Sequence, residues 1–168
     1  LHKDEEENKI EELSKKLIED LKQFAPVYPT LKRTKETKEH LLVIDPADIH
    51  IGKLADSFET GEDYNNQIAV KRVKEGVQGI LNKAQGFPID KILFIGGNDI
   101  LHIDTPQRTT SAGTPQDTDG MWYSNFLIAK QLYVDILLQL IAIAPVHFTF
   151  NPSNHDMMSG FFLSDVIK

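Results

Sequence analysis

Leu41-Leu42-Val43-Ile44-Asp45-Pro46-Ala47-Asp48-Ile49-His50-Ile51-Gly52 carries an apolar run straight into a polar segment closed by glycine. Four consecutive apolar residues, two of them leucine and two β-branched, predict a buried strand, which we place over Leu41 to Asp48. Alternation along a strand puts residues i and i+2 on one face, so the Asp48 carboxylate and the His50 imidazole are expected to converge. A carboxylate and an imidazole meeting at a strand end make the beginning of a transition-metal site.

The same grammar occurs twice more downstream. Lys91-Ile92-Leu93-Phe94-Ile95 predicts a second strand and runs into Gly96-Gly97-Asn98-Asp99-Ile100-Leu101-His102. Val146 to Phe150 predicts a third, followed by Asn151-Pro152-Ser153-Asn154-His155-Asp156. Between them lie helical patterns. Residues 62–85 place Ala69, Val73, Val77, Ile80 and Ala84 on one face, residues 121–144 are strongly apolar, and Met157 begins another helix that reaches Lys168. Strand–helix–strand–helix–strand–helix predicts right-handed crossovers and an α/β fold with a mainly parallel sheet flanked by helices. In such sheets ligands bind beyond the carboxyl ends of the strands, and all three polar clusters fall there.

Upstream, residues 1–24 predict an amphipathic helix, with Ile10, Leu13, Leu17, Leu21 and Phe24 at spacings of three and four. Residues 25–40 hold two prolines and the basic run Lys32, Arg33, Lys35 and Lys38, and are expected to be a linker before a domain over 41–168. The loop 103–120 is long for a segment without structure of its own, which suggests either a functional lid or a disordered stretch.

Composition narrows the chemistry. The chain has no cysteine, which removes disulfides, thiolate metal sites and a Cys nucleophile, and leaves carboxylate, imidazole and amide as ligands. A formal net charge of −7 argues against broad electrostatic attraction to nucleic acid, although bound metals would supply local positive charge. The longest apolar run, Ile136 to Val146, is interrupted by Gln139 and is too short for a membrane span, so no membrane partner and a cytoplasmic location are expected. Neither a P-loop, a G-x-G-x-x-G fingerprint nor a G-x-S-x-G elbow occurs.

Gly96 and Gly97 permit a tight turn that presents Asp99, and Asn98 tolerates the positive φ such a turn needs. Asp99 near Asp48 and His50 could bridge two cations, and Asn154 offers a neutral carbonyl oxygen. His155, expected to point elsewhere, is free to serve as an acid or an electrostatic group. Two metals about 4 Å apart activate water and stabilise in-line displacement at phosphorus. Arg108, in the 103–120 loop, either reaches a substrate phosphate or is simply solvated. Asp45, before Pro46, reads as a bend residue, and His147 as a core or edge histidine.

These clusters resemble the calcineurin-like metallophosphoesterase superfamily, whose first three motifs read D-x-H-x-G, G-D-x-x-[DH] and G-N-H-[DE]. Asp48-Ile49-His50-Ile51-Gly52 matches the first in full. Gly97-Asn98-Asp99-Ile100-Leu101-His102 matches the second with Asn98 inserted, and Ser153-Asn154-His155-Asp156 matches the third with Ser for Gly. The resemblance covers roughly Leu41 to the end and implies half of a four-layer α/β/β/α sandwich. It implies that Asp48 and His50 hold one metal, that Asp99 bridges, that Asn154 holds the second, and that His155 protonates the leaving group or stabilises phosphate.

His102, where much of the superfamily has Asp, is similar to the branch of DNA double-strand-break repair exonucleases, and implies phosphate contact by His102 with Asp104 taking an orienting role. The family's C-terminal half supplies a lone His and a G-H-x-H motif, and no histidine follows His155, which suggests the N-terminal part of a larger phosphoesterase. The expected activity is phosphoester hydrolysis by a phosphodiesterase or nuclease acting on nucleic acid, with DNA as a candidate substrate, using two divalent ions, Mn²⁺ first and Mg²⁺, Fe²⁺ or Zn²⁺ as alternatives. A phosphomonoesterase and a catalytically inert scaffold or homo-oligomer are the competing expectations.

Overall fold

A computed structural model describes residues 38–168, so the expected helix over 1–24 and nearly all of the 25–40 linker lie outside the described residues. Three strands, β1 (His40–Ile44), β2 (Ile89–Gly97) and β3 (Val146–Asn151), form one sheet in the order β1-β2-β3. Both pairings are parallel, with Ile44 opposite Phe94 and Phe94 opposite Phe148. Four helices accompany them: α1 (Ser57–Thr60), α2 (Asn66–Lys83), α3 (Trp122–Ile141) and α4 (Met157–Ile167). The α/β class and the parallel sheet expected from the sequence are therefore present.

With strands laid down in sequence order, right-handed crossovers bring both connecting helices to the same side of the sheet. The burial pattern agrees. Ile44, Ile92 and Phe94 on one face are at most 1% exposed, whereas Leu41 and Val43 on the other are 59% and 48% exposed. Helix α2 starts where the Asn65 side chain accepts from the Ile68 amide, and it buries Ala69, Val77 and Leu81. Helix α3 buries Ala129, Leu132, Tyr133, Ile136 and Leu140, a three-and-four spacing that marks one core-facing stripe. Phe94 meets Tyr133 edge-on and stacks on Phe148, and Leu163 of α4 completes this layer. Among the described residues there is one sheet; the second sheet of the expected sandwich is not among them.

One strand end and one short helix differ from expectation for local reasons. Strand β1 stops at Ile44 rather than Asp48, because Asp45-Pro46 turns the chain and Pro46 has no amide to continue the ladder. The short helix α1 had no periodic apolar signal; it exists because Asp56 caps its start and Gly61, at φ +85°, ends it. No helix among the described residues is long and apolar enough to cross a membrane.

Candidate metal centre

Beyond β1 and β2 the chain leaves strand geometry but keeps parallel pairing. The amides of Asp48, His50 and Ile51 donate to the carbonyls of Asn98, Asp99 and Ile100, each at 2.8 Å, and His102 N returns to Ile51 O at 3.0 Å. Among the described residues, four of the five non-glycine residues with positive φ lie in this double segment: Asp48 (+54°), His50 (+50°), Asn98 (+50°) and Asp99 (+64°). Left-handed backbone is uphill for residues with a Cβ, less so for Asn and Asp, and such residues cluster at functional sites. Asp48 and His50 do converge, with Nε2 of His50 3.7 Å from Oδ1 of Asp48. The route differs from the one expected, since paired left-handed residues bring them together rather than strand alternation.

Asn98, the residue inserted into the second motif, cross-links the three strand ends. Its Nδ2 donates to Asp45 Oδ1 at 2.8 Å, its Oδ1 accepts from Asn151 Nδ2, and its amide donates to Asn151 O at 3.0 Å. Asp45 thus acts as a structural partner at the bend. Gly52 is equally constrained at φ +100°, where a Cβ would lie 2.4 Å from the Asn125 amide nitrogen. Its N–H donates to Asn66 Oδ1 at 2.6 Å, and Asn66 in turn binds Asp119 and Asn125. This clasp ties the first motif to the starts of α2 and α3. Asn66, Asp119 and Asn125 carried no sequence signal because their partners lie 14 to 59 residues away.

Two groups of metal-type ligands result, and each has its ligand atoms within 4.8 Å of one another: Asp48, His50 and Asp99, and His50, His102 and His155. The first contains Asp48, His50 and Asp99, three of the four residues that the resemblance implies as metal ligands. The second corrects one expectation, for His155 does not point elsewhere. Its ring stacks on His102 and meets His50 edge-on, its Nδ1 hydrogen-bonds to His102 O at 2.9 Å, and its amide donates to Asp99 Oδ1. Burial first, then the neighbouring His50 and His155, pushes His102 down to about 4, so its imidazole is neutral with a free lone pair at neutral pH. Burial and His155 also lower His50.

Asn154 is exposed, and its carbonyl accepts from Ser111 N. Arg108 is exposed at φ +61°, and among the described residues no hydrogen bond or ion pair joins its guanidinium to the cluster. His147 lies exposed on β3, an edge strand of this sheet. Lys53, directly after the first motif, was missed by sequence reasoning; its charge reaches both His50 and His102. A cation following D-x-H-x-G was the available signal.

Asp104 does not orient a histidine. Its carboxylate accepts from the amides of Met158 and Ser159 and the hydroxyls of Ser111 and Ser159, filling the role of N-cap for α4 from fifty-odd residues away. Burial would raise its pKa, but these hydrogen bonds prevail and hold it below the usual range. Through them the 103–120 loop, which also folds back by a Thr109–Pro115 bridge, is fastened to α4.

Asp156, the residue preceding α4, is fully buried and accepts from Leu101 N at 2.8 Å and from the Ser153 hydroxyl. Burial foremost, with Asp99 and Asp104 adding, pushes its carboxyl up to about 6 against those two hydrogen bonds. The folded state therefore holds this proton more tightly than the unfolded chain. Stability from this group is complete below the ordinary carboxylate range and is lost as pH rises through about 6. Asp156→Asn keeps an acceptor for the Leu101 amide, and its Nδ2 would donate to a Ser153 hydroxyl turned to accept. It should flatten stability between pH 4 and 6 and add about 2–3 kcal/mol at pH 7.5, read from urea unfolding. An unchanged pH profile would show that Asp156 does not carry this proton.

Compared with protein-family models, curated proteins and solved structures, the chain has no match in any of the three.

Proposed function

We propose that this domain supplies the first three metal-ligand clusters of a metal-dependent phosphoesterase of the calcineurin-like kind, acting as a phosphodiesterase or nuclease on nucleic acid. What carries the reading is one observation. Segments following three separate strands bring Asp48, His50 and Asp99, with His102 and His155, to one edge of a parallel sheet. That placement is what a strand-end hydrolytic site needs.

The donor set of the carboxylate group fits a hard or borderline divalent cation, Mn²⁺ first. Such ions, when bound, supply an activated water and charge stabilisation at phosphorus. Asp48, His50 and Asp99 would hold them, with the Asn154 side chain as a further oxygen donor. His155 is oriented by its Nδ1 contact to His102 O, which leaves Nε2 available for the leaving oxygen. His102 would contact a phosphate oxygen, and Lys53, whose charge reaches His50 and His102, would add to its stabilisation. The Gly52–Asn66–Asn125 clasp and the Tyr64 hydroxyl on Ile49 O hold the ligand segment still.

The test is hydrolysis of linear double-stranded DNA and bis(p-nitrophenyl) phosphate with Mn²⁺, with p-nitrophenyl phosphate beside them. Metal-dependent cleavage of the diesters, abolished by EDTA, is the expected result. Cleavage of the monoester alone would move the activity to a phosphatase. Turnover of none of the three by protein that calorimetry shows to be Mn²⁺-loaded would overturn the enzymatic reading in favour of a scaffold.

A further inference from the structure

The three imidazoles meet in a way that phosphate binding does not require. Ring centroids lie 4.6 Å (His50–His155), 5.2 Å (His50–His102) and 5.3 Å (His102–His155) apart. With Zn–N bonds of about 2.0–2.1 Å, three imidazoles on one tetrahedral ion have centroids about 5 Å apart, and somewhat less if the ion is octahedral. Nδ1 of His50 and Nδ1 of His102 are 3.4 Å apart, the edge length of such a coordination shell. The outer contact is present too: His155 engages the His102 carbonyl through Nδ1, the arrangement that fixes the tautomer of a metal-ligating histidine and frees Nε2.

We propose that His50, His102 and His155 form a second cation site, all nitrogen, that takes Zn²⁺ or a similar borderline transition ion in preference to Mn²⁺ or Mg²⁺. Donor chemistry gives the selectivity, since imidazole suits Zn²⁺, Ni²⁺ and Cu²⁺ while carboxylate suits Mn²⁺ and Mg²⁺. His50 belongs to both groups, with Nε2 towards Asp48 and Nδ1 towards His102. A neutral imidazole has one lone pair for a metal, so an ion in either group withdraws His50 from the other. The two ions are therefore antagonists, and by linkage each weakens the other by the same factor. In the proposed phosphoesterase this makes Zn²⁺ an inhibitor of the Mn²⁺ form that also occupies the phosphate-facing imidazoles. The site itself does not depend on that activity.

The experiment titrates the 168-residue chain with Zn²⁺ by calorimetry and with Co²⁺ by visible absorption, each with and without Mn²⁺. One Zn²⁺ is expected to bind, Co²⁺ is expected to give the intense visible bands of a low-coordinate nitrogen site, and Mn²⁺ is expected to weaken both. His102→Gln and, separately, His155→Gln should each weaken Zn²⁺ by more than about 100-fold, beyond the loss typical of an outer-shell partner. Asp99→Asn should leave Zn²⁺ in place while weakening Mn²⁺. Far-UV circular dichroism identifies any variant that has lost its fold, and the other histidine variant then carries the result. Zn²⁺ affinity unchanged in both histidine variants, or lost equally in Asp99→Asn, would overturn the proposal. Hydrolysis enters none of these readings, so failure here is separate from failure of the phosphoesterase function.

Discussion

Gly97→Ala is expected to be the most disruptive single substitution in this domain, lowering the unfolding free energy by more than about 3 kcal/mol. A Cβ at this position would stand 2.0 Å from the Asn151 carbonyl oxygen, at a φ of +94° that already disfavours any side chain. The obstructing atom is backbone, and it is held in place because Asn151 O accepts the Asn98 amide at the end of the β2–β3 ladder. Relief requires that β2 and β3 part at the strand ends from which Asp99 and His155 project. Two companions divide the effect. Gly96→Ala meets the Phe148 ring at 2.7 Å, a side chain that can shift, and should cost less. Gly113→Ala, at φ +88° with open space around it, isolates backbone strain and should cost about 1–2 kcal/mol. Urea midpoints at constant m-value give the comparison. Equal midpoints for Gly97→Ala and Gly113→Ala would show that the carbonyl contact does not limit the site.

The largest effect on function is expected from Asp99→Asn. Asp99 belongs to the carboxylate group, and its Oδ1 also accepts the His155 amide at 3.2 Å. Asparagine keeps an oxygen for that amide and differs from aspartate by little more than charge, so the fold should stand while one anionic ligand is lost. Loss of outer-shell partners alone costs about 10–100-fold in metal affinity, and loss of a ligand should exceed that. Calorimetric Mn²⁺ binding is expected to fall by more than about 100-fold, with hydrolysis falling with it. Retained Mn²⁺ affinity in Asp99→Asn would remove this aspartate from the site.

Most of the fold was legible because the three strands are short apolar runs each ended by Gly, Asn, Asp or Pro, and because α2 and α3 keep helical periodicity. The candidate ligand residues were legible as motifs, but their conformation was not. Asp48 and His50 looked like alternate positions on a strand, and only the pairing with Asn98, Asp99 and Ile100 sets their left-handed backbone. His155 looked free, since nothing in the order Asn-His-Asp says that its ring will stack on a histidine 53 residues earlier. Asp104 was misread for the same reason: which helix end a loop carboxylate caps is decided by tertiary docking.

The ladder continuing past the strands from Asp48 to His102 bears on how an ion is captured. Loops that close around a metal must surrender conformational freedom when it arrives, and that loss is subtracted from the affinity. Here the backbone beneath Asp48, His50, Asp99 and His102 gives up its freedom when the sheet forms, so an ion bound as we propose would order little more than side-chain torsions. On the proposed reading, the choice between one cation and another would be governed by the electronic preference of oxygen and nitrogen donors rather than by how readily the polypeptide rearranges.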